Sequence, residues 1–269
     1  MMKIQKVNQN IMFNAGLTKQ MRADIKNCNV KEIENFFAKK DINTNFGNNN
    51  IIAWCCLKCF QIISAFNKRY KMNLGVPNGI FAENFQKLNA VEEESLGIAN
   101  FAPTYLYKDS DVIVPEKTIF FNSNYDWTGM DSMSDMCFEK GLSSTNFFLE
   151  TFLHEFMHVI HEDNLINKLG GEKLILFLDK LNNLKTIEKF QNDYAKALSQ
   201  ICHYAASHPI EAVACDLSKR GINSINRENL GINRNIFDSS PYCKKLYSNT
   251  KKGSKTDFVL RSLWNGKFE

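Results

Sequence analysis

The sequence predicts an α+β fold, mostly helical, with a small mixed sheet just ahead of one central helix. Three observations carry that expectation. Stretches with helical spacing fill most of the chain. Segments rich in aromatic and β-branched residues between turn signals gather in one window, about residues 98–125. The run Phe147, Phe148, Leu149, Phe152, Leu153, Phe156, Met157, Val159 and Ile160 is apolar nearly all round, as a helix at the centre of a core must be.

Taken in order, residues 1–16 read as a loose tail. Two short helices follow at about 18–27 and 30–40, the second with Asn29 as N-cap and Ile33, Phe36 and Phe37 on one face. Residues 41–50 are polar and read as a loop, and a third helix spans about 50–70. Gly75, Pro77 and Asn78-Gly79 mark a turn region. Residues 98–107 and 112–114 have strand character, and the best strand is Thr118 to Tyr125. Residues 126–142 read as a loop. Ser143, Ser144 and Thr145 offer an N-cap to the central helix, about 145–169, which Gly170-Gly171 ends. Helices are expected at about 172–181, 186–205 and 209–219, the last opened by Pro209 and stopped by Gly221. A short helix at about 257–264 closes the chain. The Gly-Ile-Asn phrases at 221–223 and 231–233 are too few to make a repeat. The organisation expected is a helical part over 1–88, a core over 89–222 built round the central helix and an extension over 223–269 packed on it.

Composition narrows the function classes. At 269 residues, 44% hydrophobic and 12% aromatic, the chain can bury a substantial core. A net charge of +4 with scattered lysines lacks the dense basic face of a nucleic-acid binder. No stretch has the roughly 18–20 apolar residues that a membrane span needs, and residues 1–20 lack the apolar core of a signal peptide. The expectation is therefore a cytoplasmic protein by default, with no nucleic-acid and no membrane partner. Export by a route that reads no cleavable signal stays compatible with this. Eight cysteines are present, but Cys56-x-x-Cys59 has no second pair to complete a four-cysteine metal site, and it lies in an apolar helix. They are expected buried and reduced.

The chemistry is concentrated in His154-Glu155-Phe156-Met157-His158, an H-E-x-x-H motif. Histidines four apart share one helix face, so both imidazoles can bind one Zn²⁺. Glu155 lies about 100° round the helix from His154 and can reach a zinc-activated water as general base. Polar groups in so apolar a run are costly unless something satisfies them, and a metal ion does. Zinc peptidases commonly pair an extended substrate with an edge strand, main chain to main chain. The strand at 118–125 fits that role and that of an ordinary core strand equally well.

Zinc needs a third protein ligand, with the fourth position left to water. All five histidines, His154, His158, His161, His203 and His208, fall within one fifth of the chain, which suggests that the helices at 145–169 and 209–219 meet. The pattern H-E-x-x-H-x-x-G-x-x-H fails, because His161 and Asn164 occupy its glycine and last histidine positions. A glutamate from a later helix is the other solution. Glu211 leads, because Ala212 and Ala214 let its helix pack closely; Glu172, His161, His203 and His208 stand behind it.

These residues resemble the catalytic domain of anthrax lethal factor and related gluzincins. The resemblance rests on the H-E-x-x-H motif, then Tyr204-Ala205, then Glu211-x-x-Ala214, and covers roughly residues 115–220. It implies a zincin-like fold, Glu211 as third zinc ligand, and Tyr204, seven residues earlier, as the donor that stabilises the oxyanion. The 53 residues between His158 and Glu211 also resemble that family rather than thermolysin. One departure is visible: the acid expected one turn after the glutamate is Cys215, with Asp216 beside it. The function implied is a zinc-dependent endopeptidase acting on a protein or peptide, with one Zn²⁺ per chain. The alternative is a non-proteolytic interaction module on the same fold. The sequence says nothing of oligomeric state.

Overall fold

The computed structural model describes residues 17–70, 75–89, 91–224 and 253–268. The tail at 1–16, the second Gly-Ile-Asn phrase and Cys243 lie outside them. The chain opens with helices α1 (Lys19–Asn27) and α2 (Val30–Ala38), capped by the side chains of Thr18 and Asn29. Strand β1 (Asn43–Asn45) leads to the long helix α3 (Asn50–Tyr70). Then come β2 (Gly79–Glu83), β3 (Gly97–Asn100), a short hairpin of β4 (Thr104–Tyr105) and β5 (Ile113–Val114), and β6 (Thr118–Asn122). Helices α4 (Met130–Glu139), α5 (Leu149–Leu169), α6 (Gly171–Asn182), α7 (Leu184–Leu198) and α8 (Pro209–Ser224) follow. The last, α9, runs over Lys255–Trp264.

The sheet has the order β1-β2-β6-β3. Its first two pairings are parallel and the β6–β3 pairing is antiparallel, so the sheet is mixed and precedes the H-E-x-x-H helix, as expected. Strand β6 is buried at all five positions because both its edges are paired and both its faces covered. Side chains alternate across a strand. Ile119 and Phe121 accordingly join the main core, while Phe120 packs on the far side with Phe85, Leu88, Leu106 and Val114.

The main core is continuous from Met21 on α1 to Phe268. Helix α5 runs through it, packed against α3, α6 and α8 and under β3 and β6. Phe152 meets Phe121 with ring centroids 4.6 Å apart, which couples the helix to the central strand. Gly221 sits at the α5–α8 contact, where an added Cβ would come within 2.8 Å of Met157 Cε and 3.1 Å of Leu153 Cδ2. It serves close approach and does not stop the helix, which continues to Ser224.

Several local expectations are corrected. Residues 126–142, read as loop, contain α4; Met130 and Ser134, four apart, are its buried contacts. Strand β1 lies in the stretch 41–50 that was read as loop, and β2 starts at the Asn78-Gly79 turn signal in a stretch given no strand; each is too short to show periodicity. Helix α7 ends at Leu198 instead of 205, and a 3₁₀ turn over Tyr204–Ala206 bridges to α8. Helix α5 starts at Leu149, later than expected, and no side chain caps it. Ser144 and Thr145 instead donate backbone N–H and hydroxyl groups to the buried Glu150 carboxylate, at 2.5–2.6 Å. Cys55, Cys56, Cys59, Cys202 and Cys215 are buried free thiols, whereas Cys28 and Cys137 are partly exposed.

Candidate metal centre

Two elements build the site. Helix α5 presents His154 and His158 one turn apart, and α8 brings Glu211 from its first turn. His154 Nε2 lies 2.8 Å from Glu211 Oε2, His158 Nε2 lies 3.3 Å from the same oxygen, and the two Nε2 atoms are 3.0 Å apart. Ligands held at about 2.0–2.1 Å in a tetrahedron stand about 3.3 Å from one another, so the three distances are close to the edges of such a site. Among the described residues this His–His–Glu group is the set of donors placed to hold a metal ion. It fits chemically as well, since three Lewis bases converge on one point and repel unless a cation lies between them.

The local electrostatics show the same demand. Burial alone pushes His154 down, but the hydrogen bond and charge of Glu211 reverse this and hold its imidazolium up to about 9. Burial pushes Glu211 up, and the two histidines more than reverse that, leaving its carboxyl well below the usual range. Without a metal, a proton plays the cation's part.

Support from behind departs from the familiar arrangement. The Nδ1 of a ligand histidine usually donates to a carboxylate, a carbonyl or water. Here Cys215 Sγ lies 3.8 Å from His154 Nδ1, and the buried His158 Nδ1 has no hydrogen-bond partner among the described residues. Asp216 does not help, because it points to Arg220, at 2.6 Å. Glu150, one turn before His154, ties α5 to the 144–145 segment, and Ser144 Oγ reaches Cys215 O at 3.4 Å. Its spacing four before His154 was a signal available in the sequence. The Cys215 contact was not, since it depends on how α8 docks.

Glu155 is buried, and burial raises its carboxyl pKa, with the two histidines opposing. It abuts the start of β3: a Cβ on Gly97 would stand 2.8 Å from Glu155 Cγ. Beyond the other end of β3, the Phe101 ring meets the His158 ring edge-on at 5.4 Å. Strand β3 therefore crosses the histidine-bearing face of α5. Its second edge is unpaired among the described residues, whereas β6 is internal. The edge-strand role considered for 118–125 does not fit that strand.

Tyr204 stands beside the first histidine, its ring 5.8 Å from that of His154 and its hydroxyl within the influence of the Glu211 carboxylate. The residue is 44% exposed. Burial of the hydroxyl and the nearby carboxylates drive its pKa far up, so it stays a donor.

The other ligand candidates fall elsewhere. Glu172 is exposed on α6, and His203 is exposed over Gly141. His208 Nδ1 accepts from Ile210 N at 3.2 Å, so it caps the start of α8. His161 turns away to α9, donating from Nε2 to Leu263 O at 3.2 Å and stacking on Trp264. No family model, no curated protein and no solved structure matches this chain.

Proposed function

We propose that the protein is a zinc-dependent endopeptidase of the gluzincin type, on a zincin-like core resembling that of anthrax lethal factor. The observation that carries the reading is the convergence of His154, His158 and Glu211 with the carboxylate of Glu155 beside them. Two histidines and a glutamate are the donor set of zinc hydrolases and suit Zn²⁺ better than hard cations, which prefer oxygen alone. Zinc held there supplies Lewis acidity, acidifying water and polarising a scissile carbonyl.

The chain's own groups carry the remaining steps. Glu155, with its pKa raised by burial, accepts the proton released as water attacks and passes it to the leaving amine. Tyr204 donates its hydroxyl to the oxygen on which negative charge develops. The free edge of β3 pairs with an extended peptide and presents one peptide bond to Glu155. The substrate is a protein or peptide. No helix among the described residues is long and apolar enough to cross a membrane.

An interaction module without proteolysis has no use for a carboxylate buried at the Glu155 position. Zinc-loaded wild type should hydrolyse an unfolded protein such as reduced casein. Glu155→Gln should keep its zinc and lose at least about 100-fold in rate. Equal hydrolysis by the two proteins would dismiss the mechanism.

A further inference from the structure

Tyr204 is half-exposed, so packing holds its ring less firmly than it holds the buried His158, and the backbone around it matters more. Within the segment 202–207, Cys202 Sγ accepts from Ala205 N at 3.3 Å, and Ser207 donates from N and Oγ to Tyr204 O at 3.0 and 2.7 Å. Those bonds shape the turn without fixing its place on the molecule. Ties to other elements do that. Gln191 Nε2 on α7 donates to Ser207 O at 3.4 Å, and His203 N donates to Gly141 O at 2.5 Å. The shorter tie falls at the residue next to Tyr204, and it comes from the turn that follows α4.

Gly141 suits that tie in two ways. It has a left-handed backbone, φ +71°, with Gly141 N bonded to Phe138 O at 2.9 Å and Leu142 N bonded to Cys137 O at 2.7 Å. This pair of bonds makes a helix-ending Schellman turn, which favours glycine. The His203 ring also lies directly against it. A Cβ at 141 would stand 2.8 Å from His203 Nδ1, 3.0 Å from Cε1 and 3.2 Å from Cγ. Bare backbone at 141 is therefore what lets His203 come within hydrogen-bond reach. We infer that Gly141 is a positioning residue: the turn that ends α4 sets where Tyr204 stands beside His154. Helix α4 supplies none of the site's own groups, so its part in the chemistry is this placement.

The inference rests on the oxyanion role proposed for Tyr204, and its test reads position and rate separately. Asparagine tolerates positive φ, so Gly141→Asn keeps the turn while its Cβ displaces His203. Protein labelled with 3-fluorotyrosine gives a fluorine resonance for Tyr204, assigned by its absence from Tyr204→Phe. In Gly141→Asn that resonance should move and the other tyrosines' stay, with zinc content near wild type. The kcat should fall about 10- to 100-fold with KM little changed. Adding His203→Ala removes the ring atoms that the new Cβ meets, and should return both readouts towards wild type. An unmoved resonance in Gly141→Asn, or a shift that His203→Ala does not relieve, overturns the positioning role and leaves the metal centre standing. A resonance that moves and returns as described, with kcat unchanged throughout, supports the placement and removes Tyr204 from the chemistry.

Discussion

At the scale of single residues, ligand, base and oxyanion donor differ in what their loss should remove. Glu211 closes the metal triad at 2.8 and 3.3 Å from the two imidazoles, so Glu211→Ala should weaken zinc affinity by orders of magnitude. Competition with a fluorescent chelator measures it, and an unchanged affinity would remove Glu211 from the site. An oxyanion donor, the role proposed for Tyr204, acts on charge that exists only in the transition state. Tyr204→Phe should therefore lower kcat by about 10- to 1,000-fold with KM and zinc content near wild type. A tyrosine that merely packed would leave kcat unchanged. The H-E-x-x-H spacing put His154, Glu155 and His158 on one helix, whereas Glu211 was read as the leading candidate from the small residues beside it and Tyr204 only from the resemblance to the gluzincins. Gly97, Phe101 and Cys215 were not legible there. Each is defined by what reaches it from another element, and spacing along the chain carries no record of that.

At the scale of elements, β3 is the piece on which site geometry depends most narrowly. Gly97 lets the strand lie on the Glu155 side chain, and a methyl there meets Cγ at 2.8 Å, well inside contact distance. Because the obstructing atom is mid-chain, Glu155 must turn to a new rotamer. Gly97→Ala should therefore reduce kcat about 10-fold or more while zinc content and the far-ultraviolet spectrum stay near wild type. Wild-type kinetics in that variant would show that the strand does not position the base. The helices were foreseen almost to the residue over α1–α3, where caps and apolar faces are explicit. Expectation failed at α4, whose polar sequence hides a weak buried stripe, and at β1 and β2. Those strands are held by their neighbours in the sheet, with three and five residues of their own.

At the scale of the whole molecule, α9 is clamped across α5 by His161, Asn164 and Lys168, which bond Leu263, Trp264 and Asn265. His161 gives this docking a pH signature. Burial pushes it down to about 3, against about 6.5 in an unfolded chain. The folded state thus binds fewer protons there than the unfolded state between these values. Stability present above pH 6.5 should be lost as pH falls towards 3, by an amount of order a few kcal/mol. Denaturant unfolding of metal-stripped protein should show that slope, and His161→Gln should flatten it. An identical acid limb in the variant would place the pH sensitivity elsewhere.

The central claim is that His154, His158 and Glu211 hold zinc, and X-ray absorption at the zinc edge reads that most directly. Protein carrying one zinc per chain should show nitrogen and oxygen neighbours alone, at about 2.0–2.1 Å, with the multiple-scattering pattern of two imidazoles. Sulfur neighbours at about 2.3 Å would put the metal on cysteines such as Cys56 and Cys59 and contradict the account.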